Sequence, residues 1–406
     1  MRKAPFLLGI LCVSTLAVTA LAGKSDSTSA NSYRGSIPFD LVLKHIVVNI
    51  SVNNSRPLPF ILDTGDKFAI VDRDRAKQLG ITLQGDIQSH AAGAAVLHGF
   101  YVQGSSFTIP GLSGFSQPVT FAFPLENLEA PLGHEIDGVI GGDFIKEFVV
   151  ELDYQSHVVR LYDKETFRYS GPGESIPIEL NSAGHPIIEA EVTPEGGEPL
   201  KGKFVLDIGS SASLALYSPF VAQHHLLGPN LKTIRALGAA GAGGQLQAQI
   251  GRVAELKIGE FRLAQPITLF SQDKAGAFAS SDIQGNLGEQ VLSRFTLFLD
   301  YSHGHVIFEP NKDFGQPFGP AFAGAVLEGI GGDYKIFRVK DVLENSPASE
   351  AGLHEGDVIT AVDGRPASAL SLSEVAEMFE RSTSYSLDVQ RGDTRLQVTL
   401  RPRKLI

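Results

Sequence analysis

The chain carries the same sequence pattern twice, about 145 residues apart. In the first matched block of each copy, apolar residues lead into Asp, one further residue and Gly, and Asp63 is matched to Asp207. Three blocks recur in the same order at nearly one offset, and this period is too long for the unit of a solenoid. The sequence therefore predicts two similar lobes, residues 40–167 and 174–312. The matched blocks are 59–72 with 203–216, 139–141 with 286–288, and 149–162 with 296–309.

Short apolar or alternating runs recur between Gly, Pro and Asn residues in both lobes. This spacing is typical of β-strands in a barrel or sandwich, and 43 Gly and 22 Pro among 406 residues fit a chain rich in turns. Residues 315–320 predict a linker, and residues 321–402 have no counterpart upstream. We therefore predict a mainly β chain, with two pseudo-symmetric β-barrel lobes followed by a third unit.

Residues 1–22 have the composition of a cleavable signal peptide. Arg2 and Lys3 form a basic start, an apolar run follows, and Ala20-Leu21-Ala22 fits an A-x-A cleavage site. The alternative is a membrane anchor, but the apolar run of about 16 residues is short for a span of about 20. We expect export to the periplasm or outside the cell, with no membrane span after cleavage. A flexible polar leader is expected over residues 23–39.

Composition argues against several classes of function. The single Cys, Cys12, lies in the predicted signal peptide, so the exported chain has no thiol. The formal net charge of −11 argues against a nucleic-acid-binding protein, which would carry a basic surface. His303 and His305 lack the carboxylate or Cys partners of a metal site, and Ser113 is not in the Gly-x-Ser-x-Gly of a serine hydrolase. We expect no metal and no cofactor.

Asp63 and Asp207 occupy equivalent places in the repeat. Each follows an apolar strand, and one residue separates it from Gly, which permits a sharp turn with the carboxylate at the strand end. If the lobes pair face to face, the two turns meet at a pseudo-two-fold axis. Two carboxylates this close do not both ionise, so the pair acts as a matched acid and base on a water between them. Such a site hydrolyses amide bonds without a metal, thiol or activated serine.

These two Asp-x-Gly turns, each followed downstream by an apolar-apolar-Gly segment, resemble the aspartic proteases over residues 40–312. Short lobes without Trp are more similar to the retropepsin-like branch, fused in tandem, than to pepsin. The resemblance implies an endopeptidase that acts on polypeptides, and because both lobes lie in one chain, a monomer suffices. It implies that Asp63 and Asp207 are catalytic and that the residues supporting them are Thr64, Gly65, Gly209, Gly141 and Gly288.

Two residues depart from the pattern of the family. Ile208 replaces the Thr or Ser whose hydroxyl would reach the opposing turn, and a typical hydrogen bond contributes about 0.5–1.5 kcal/mol. Asp66 replaces a small residue; it either raises the pKa of the dyad or faces solvent. The alternative function is a catalytically inactive peptide-binding protein on the same scaffold.

Small residues follow each Asp at similar distances, in the segments 91–95 and 238–244. Because Gly gives the backbone freedom, these segments are candidates for a pair of mobile flaps at Gly93 and Gly241. The alternatives are ordinary flexible hairpins or, for 238–244, a phosphate-binding loop. The Gly spacing of 238–244 does not fit a phosphate-binding loop.

Residues 321–402 resemble a PDZ domain of the bacterial exported-protease type. The resemblance is carried by Ser346-Pro347-Ala348 and by the stretch from Gly356-Asp357-Val358-Ile359 to Asp363-Gly364. It implies a groove that binds a peptide C-terminus or an extended strand. The carboxylate loop would lie near Gly324, Ala325 and Val326, beside a helix over 373–379. The alternative is a PDZ domain that serves only as packing or spacer.

Overall fold

The computed structural model describes residues 32–90, 93, 95–241, 243–319 and 322–406. Strands make up 44% and helices 12%, so the chain is mainly β, as predicted. The predicted signal peptide, residues 1–22, and residues 23–31 of the predicted leader lie outside the described residues. In the described part, none of the helices has the length and apolar character needed to cross a bilayer.

The predicted flexible leader, residues 23–39, is too long, because its C-terminal part belongs to a strand of lobe 1. Residues Tyr33–Val42 form a strand that pairs with Val158–Tyr162. Ile37 and Phe39 on this strand are buried. The alternation of apolar residues begins directly after the small polar stretch, and it places one face of the strand in the core.

Lobe 1 is built from short strands joined by helices of one or two turns. Its strands are β1 (Tyr33–Val42), β2 (His45–Val52), β3 (Leu58–Leu62), β4 (Ile70–Asp72), β5 (Thr82–His90), β6 (Val96–Gln103), β7 (Ser106–Thr108), β8 (Gln117–Pro118), β9 (Phe121–Phe123), β10 (Gly138–Ile140), β11 (Val149–Asp153) and β12 (Val158–Tyr162). Its helices are α1 (Arg73–Gln78), α2 (Glu126–Leu132) and α3 (Gly142–Ile145).

Lobe 2 has the same kind of construction. Its strands are β13 (Glu174–Pro177), β14 (Glu179–Leu180), β15 (Pro186–Thr193), β16 (Leu200–Leu206), β17 (Leu214–Leu216), β18 (Ile234–Arg235), β19 (Ala240–Gly241), β20 (Gly244–Gln245), β21 (Ala248–Arg252), β22 (Glu255–Ile258), β23 (Phe261–Ala264), β24 (Ile267–Ser271), β25 (Gly285–Leu287), β26 (Phe295–Asp300) and β27 (His305–Pro310). Its helices are α4 (Ser218–Gln223), a 3-10 turn (Ala277–Ala279) and α5 (Glu289–Leu292).

The centres of the two lobes have the same strand pairing. In lobe 1, β10 runs parallel to β3 and antiparallel to β4. In lobe 2, β25 runs parallel to β16 and antiparallel to β17. The registers also agree, because Val139 lies opposite Ile61 and Asn286 lies opposite Val205. Strands β3 and β16 lead into Asp63 and Asp207, so each Asp lies at the end of a strand paired on both sides.

One sheet joins the two lobes. Strands β13, β27 and β26 of lobe 2 continue into β11, β12 and β1 of lobe 1, and Val150 lies opposite Leu299 where they meet. The largest hydrophobic core cluster contains residues of both lobes. Within the described residues these sheets show no closed ring of strands. The shared sheet fixes the two lobes side by side.

The C-terminal unit has its own sheet and its own core, with Phe337, Val375 and Leu387 fully buried. A capping box between Ser371 and Glu374 starts the predicted groove helix. The elements are β28 (Ala325–Ile330), β29 (Ile336–Val342), α6 (Pro347–Glu350), β30 (Val358–Val362), β31 (Arg365–Pro366), a 3-10 turn (Ala367–Ala369), α7 (Leu372–Phe379), β32 (Tyr385–Arg391) and β33 (Thr394–Leu400).

The turn between β1 and β2 connects lobe 1 to this C-terminal unit. The backbone N–H of Leu43 donates to Ser373 Oγ (2.9 Å), and Leu43 packs against the core of the unit. Lys44 Nζ forms an ion pair with Glu380 at 2.8 Å. Ser373 lies in the first turn of α7 and Glu380 is its C-terminal cap residue. The turn of lobe 1 therefore lies along the predicted groove helix.

Candidate active site

The two Asp-x-Gly turns have the same local geometry. The backbone N–H of Asp63 donates to Ile140 O (3.0 Å), and that of Asp207 donates to Leu287 O (2.9 Å). Each carboxylate then accepts a hydrogen bond from the Gly two residues on, at 2.6 Å from Gly65 and 3.1 Å from Gly209. The turns therefore hold both carboxyl groups at the strand ends in equivalent orientations.

The two carboxyl groups face each other. A Cβ atom built on Gly65 would lie 3.0 Å from Oδ1 of Asp63 and 3.0 Å from Oδ1 of Asp207, so these oxygens are at most twice that distance apart. A Cβ atom on Gly209 would lie 2.2 Å from Cγ of Asp63. Both glycines are required here because any side chain would occupy the space of a carboxyl group.

Thr64 ties the turns of the two lobes together. Its buried hydroxyl donates to Leu206 O (2.5 Å) and accepts from the backbone N–H of Ile208 (2.9 Å). Ile208 is fully buried and has no hydroxyl to return the contact. One side of the predicted cross-lobe contact is present and the other is replaced by apolar packing.

Gly141 and Gly288 lie in the loops behind the turns. A Cβ atom on Gly141 would meet Asp66 O at 2.5 Å, and one on Gly288 would meet Ala212 O at 2.4 Å. These close backbone approaches leave no room for a side chain.

The pKa values of the dyad, Asp63 and Asp207, are unequal. Burial raises the pKa of Asp63 well above its usual range, and the charge of Asp207 raises it further. Burial also raises the pKa of Asp207, but a hydrogen bond from Asn286 and the nearby His185 oppose the rise. Both side chains are half-buried, so water still reaches them. The pair therefore holds one proton more tightly than an isolated carboxyl does.

Asp66 belongs to the site electrostatically. Burial raises the pKa of its carboxyl to about 6, against hydrogen bonds from the backbone of Lys67 and Phe68. Its charge in turn raises the pKa of Asp63. Of the two interpretations of this residue, the one in which it raises the pKa of the dyad agrees with the structure.

His45 and His185 flank the dyad and were not singled out from the sequence. Extending the β2–β3 and β15–β16 pairings by two residues places His45 opposite Asp63 and His185 opposite Asp207. Burial lowers the pKa of both rings, and the charge of Asp207 raises both. A fourth repeated block, HIVVNISV and HPIIEAEV, could have revealed this pair.

The two predicted flap segments meet each other. Strands β5 and β6 form one hairpin and β19 and β20 another, with Gly241 paired to Gly244. The backbone N–H of Ala95 donates to Gly243 O (2.8 Å), and a Cβ atom on Gly93 would lie 2.3 Å from the carbonyl carbon of Gly243. Ala91, Ala92, Ala94 and Ala242 lie outside the described residues.

The predicted carboxylate loop lies at the start of β28. Gly324 has φ of +76°, which favours Gly, and a Cβ atom there would lie 2.2 Å from Cβ of Ser346. Ala325 and Val326 begin β28, an edge strand of its sheet. Val326 also lies against Gly238, next to the second flap, so the C-terminal unit contacts both lobes.

No cluster of three or more His, Cys, Asp and Glu side chains is arranged to hold a metal ion in the described ranges. The rings of His303 and His305 lie 2.8 Å and 3.5 Å from the carboxylate of Asp300.

The buried carboxyl of Glu289, directly after Gly288, predicts how the stability of the protein depends on pH. Burial raises the pKa of its carboxyl from the usual 4.5 to about 7. The folded chain therefore binds this proton more tightly than the unfolded chain, and the free energy of unfolding falls as pH rises from 4.5 to 7. We expect Glu289→Gln to match the wild type near pH 4 and to be more stable above pH 7, by about 3 kcal/mol. Urea unfolding at both pH values measures this, and equal stability of the two proteins above pH 7 would contradict it.

Models of known families match lobe 1 and the C-terminal unit. A model described as aspartyl protease matches residues 48–144, within lobe 1, and a PDZ-domain model matches residues 338–391. The chain thus contains an aspartyl-protease-like region in lobe 1 and a PDZ domain towards its C-terminal end. Both resemblances drawn from the motifs are thereby confirmed. The first match includes Asp63, Thr64 and Gly65.

Individual relatives match over short stretches. They are "Putative serine protease HhoA" of Synechocystis sp. (41% identical over 68 residues, 16% of this chain and 17% of that protein), "Serine protease HTRA1" of Xenopus laevis (31% over 67 residues, 16% and 14%) and "Serine protease HTRA3" of Rattus norvegicus (36% over 64 residues, 16% and 14%). The chain thus spans about a sixth of the length of these relatives.

Two solved structures also match parts of the chain. The HtrA3 PDZ domain bound to a phage-derived ligand covers 20% of this chain and 85% of its own, at 28% identity and a TM-score of 0.19. The photosystem II D1 C-terminal processing protease covers 22% and 24%, at 25% identity and a TM-score of 0.20.

Proposed function

We propose that this chain is an aspartic endopeptidase that hydrolyses extended polypeptides between its two lobes. The observation that carries the proposal is the pair Asp63 and Asp207, held face to face around Gly65 at the ends of equivalent strands. The unequal pKa values of the pair supply an acid and a base at the same pH.

The reaction follows from two carboxyl groups that share one proton. The ionised carboxylate removes a proton from a water between the two groups, and the water oxygen attacks the peptide carbonyl carbon. The protonated carboxyl donates its proton to the carbonyl oxygen, which gives a neutral tetrahedral intermediate. The carboxyl that took the proton of the water then donates it to the amide nitrogen, and the other carboxylate removes a proton from a hydroxyl of the intermediate. The carbon–nitrogen bond breaks, amine and acid are released, and the original protonation states return.

The aspartic type is supported by the site rather than by the relatives. The relatives are named serine proteases, but the match covers about a sixth of each. This chain has no Gly-x-Ser-x-Gly sequence, whereas both Asp-x-Gly turns form the equivalent geometry of a dyad.

We further propose that the PDZ domain captures peptides for the protease. Strand β28 is paired with β29 on one side, so a peptide would be added at its other edge, and α7 provides the second side of the groove. Because Leu43 and Lys44 contact α7, the groove lies next to lobe 1. We also propose that the chain is exported, as residues 1–22 predict.

The proposal is tested by incubating the purified chain with an unfolded polypeptide from about pH 3 to pH 8. We expect cleavage with a bell-shaped pH profile that survives a phosphonate reagent directed at serine nucleophiles. Loss of cleavage with that reagent would point to a serine mechanism. Binding of the polypeptide without turnover at any pH would favour the inactive peptide-binding alternative.

Asp66 predicts a shift in that pH profile. At pH values above about 6 its carboxylate is ionised and raises the pKa of Asp63. In Asp66→Asn this repulsion is removed, so Asp63 loses its proton more easily and the alkaline limb of kcat/KM moves to lower pH. The exposed Asp393, changed to Asn, is the control and should leave the limb in place. If the alkaline limb of the kcat/KM profile is unchanged in Asp66→Asn, Asp66 does not act on the dyad.

A further inference from the structure

The symmetry between the two lobes is broken at one position beside the dyad. The repeat matches Asn286 of β25 with Val139 of β10, and both occupy the same register against the Asp-bearing strands. Both side chains are buried, with 2% of Asn286 and 7% of Val139 exposed. A buried amide is costly unless it is hydrogen-bonded, so its presence in one lobe alone calls for a partner there.

That partner is Asp207. Asn286 Nδ2 donates to Asp207 Oδ2 at 2.7 Å, while the backbone N–H of Gly209 donates to Oδ1. Both oxygens of Asp207 are thus bound by donors. On the other side of the dyad, the carboxylate of Asp63 accepts a backbone hydrogen bond from Gly65 at one oxygen, and Val139 has no donor to offer the second.

The amide of Asn286 presents its donor, Nδ2, to Asp207. Its Oδ1 is buried and has no partner within the described residues. A neutral carboxyl of Asp207 would still accept the bond from Nδ2, but more weakly. The observed donor-to-carboxylate contact strengthens when the acceptor is ionised.

We propose that Asn286 is a positioning residue that fixes the roles within the dyad: its amide holds Asp207 as the ionised carboxylate that activates water, and Asp63 carries the shared proton. This inference rests on the proposed protease function. The other titratable groups around Asp207 act together with this contact. They are Asp63, Asp66, His45, His185, Tyr217 and Tyr301.

Two reagents distinguish the two protonation states directly. An ionised carboxylate opens an epoxide and becomes an ester, whereas a protonated carboxyl first protonates a diazo compound and is then alkylated with loss of nitrogen. Fragmentation of the labelled peptides by mass spectrometry identifies the esterified Asp. In the wild type we expect the epoxide on Asp207 and the diazo compound on Asp63.

Asn286→Val places the lobe 1 residue in lobe 2. We expect epoxide labelling to spread to both Asp residues, and the acidic limb of kcat/KM to move up by about one to two pH units, because the carboxylate loses a charged hydrogen bond. Val139→Asn is the matched variant: a donor beside Asp63 should draw epoxide onto Asp63. Because Val139→Asn adds a buried amide that could destabilise the fold, the double variant Val139→Asn/Asn286→Val is also tested, since it leaves the composition unchanged. In this variant we expect the epoxide on Asp63 and the diazo compound on Asp207.

If Asn286→Val is labelled at the same Asp residues as the wild type, and the acidic limb of its kcat/KM profile does not shift, the proposed role of Asn286 is wrong. The labelling does not depend on turnover. If the wild type cleaves no polypeptide, the proposed function fails, while the sites of epoxide and diazo esterification still decide whether Asn286 sets the charge of Asp207.

Discussion

Replacement of Asp63 or Asp207 by Asn is expected to reduce kcat/KM for an unfolded polypeptide by at least about a thousandfold. One carboxyl acts as the general base and the other as the general acid. An amide neither removes a proton from water nor delivers one to the carbonyl oxygen. The change preserves shape, and Gly65 and Gly209 can still donate to the amide oxygen, so the fold is expected to persist. In Asp207→Asn, the uncharged amide also removes the repulsion that raises the pKa of Asp63.

The matched control is Asp282→Asn, at an exposed position of lobe 2. This variant should cleave at the wild-type rate, which shows that the loss is specific to the dyad. Single-turnover assays with purified variants, together with circular dichroism, separate lost chemistry from lost structure. Cleavage that persists at the wild-type rate in either dyad variant would remove the aspartic mechanism.

The dyad could be predicted from sequence because its signal is local. An apolar strand, Asp and Gly follow one another within a few residues, and the repeat supplies the second copy. The same holds for Gly141 and Gly288, where tight backbone contacts exclude side chains. The family matches and the mainly β content agree with these local signals.

The partners of the dyad could not be predicted in the same way, because they come from other strands. His45 and His185 precede the Asp residues by 18 and 22 residues, and only the antiparallel register places them opposite. Asn286 appeared in the repeat as the counterpart of Val139, but its contact with Asp207 depends on the parallel pairing of β25 with β16. Strand order, which sets these contacts, is not encoded by spacing alone.

The contact of Leu43 and Lys44 with the PDZ domain shows the same limit. Both residues adopt positive φ in a two-residue turn, without the Gly or Asn that marks such turns in a sequence. Their conformation is held by contacts with Ser373 and Glu380, more than 300 residues away. Long-range packing here overrides the local preference of the chain.

Thr64→Val is expected to lower the free energy of unfolding of the two-lobed unit by about 2–4 kcal/mol. Valine has the shape of threonine but no hydroxyl, so the backbone N–H of Ile208 and the carbonyl of Leu206 lose their partner inside the core. Ile208 has no hydroxyl for a reciprocal hydrogen bond across the lobes, so no second side-chain hydroxyl compensates for the loss. A fall in kcat should accompany the loss of stability, because the two turns are no longer held together.

Thr64→Ser separates the hydroxyl from the methyl group. Serine can make both hydrogen bonds of Thr64, so it should keep most of the stability and most of the activity, measured by urea unfolding and by polypeptide cleavage. If valine and serine cost the same, the methyl packing of Thr64 rather than its hydroxyl would join the lobes. If the hydroxyl governs both readouts, one side chain connects the fold to the chemistry, since the hydrogen bonds that join the two turns also set the separation of Asp63 and Asp207.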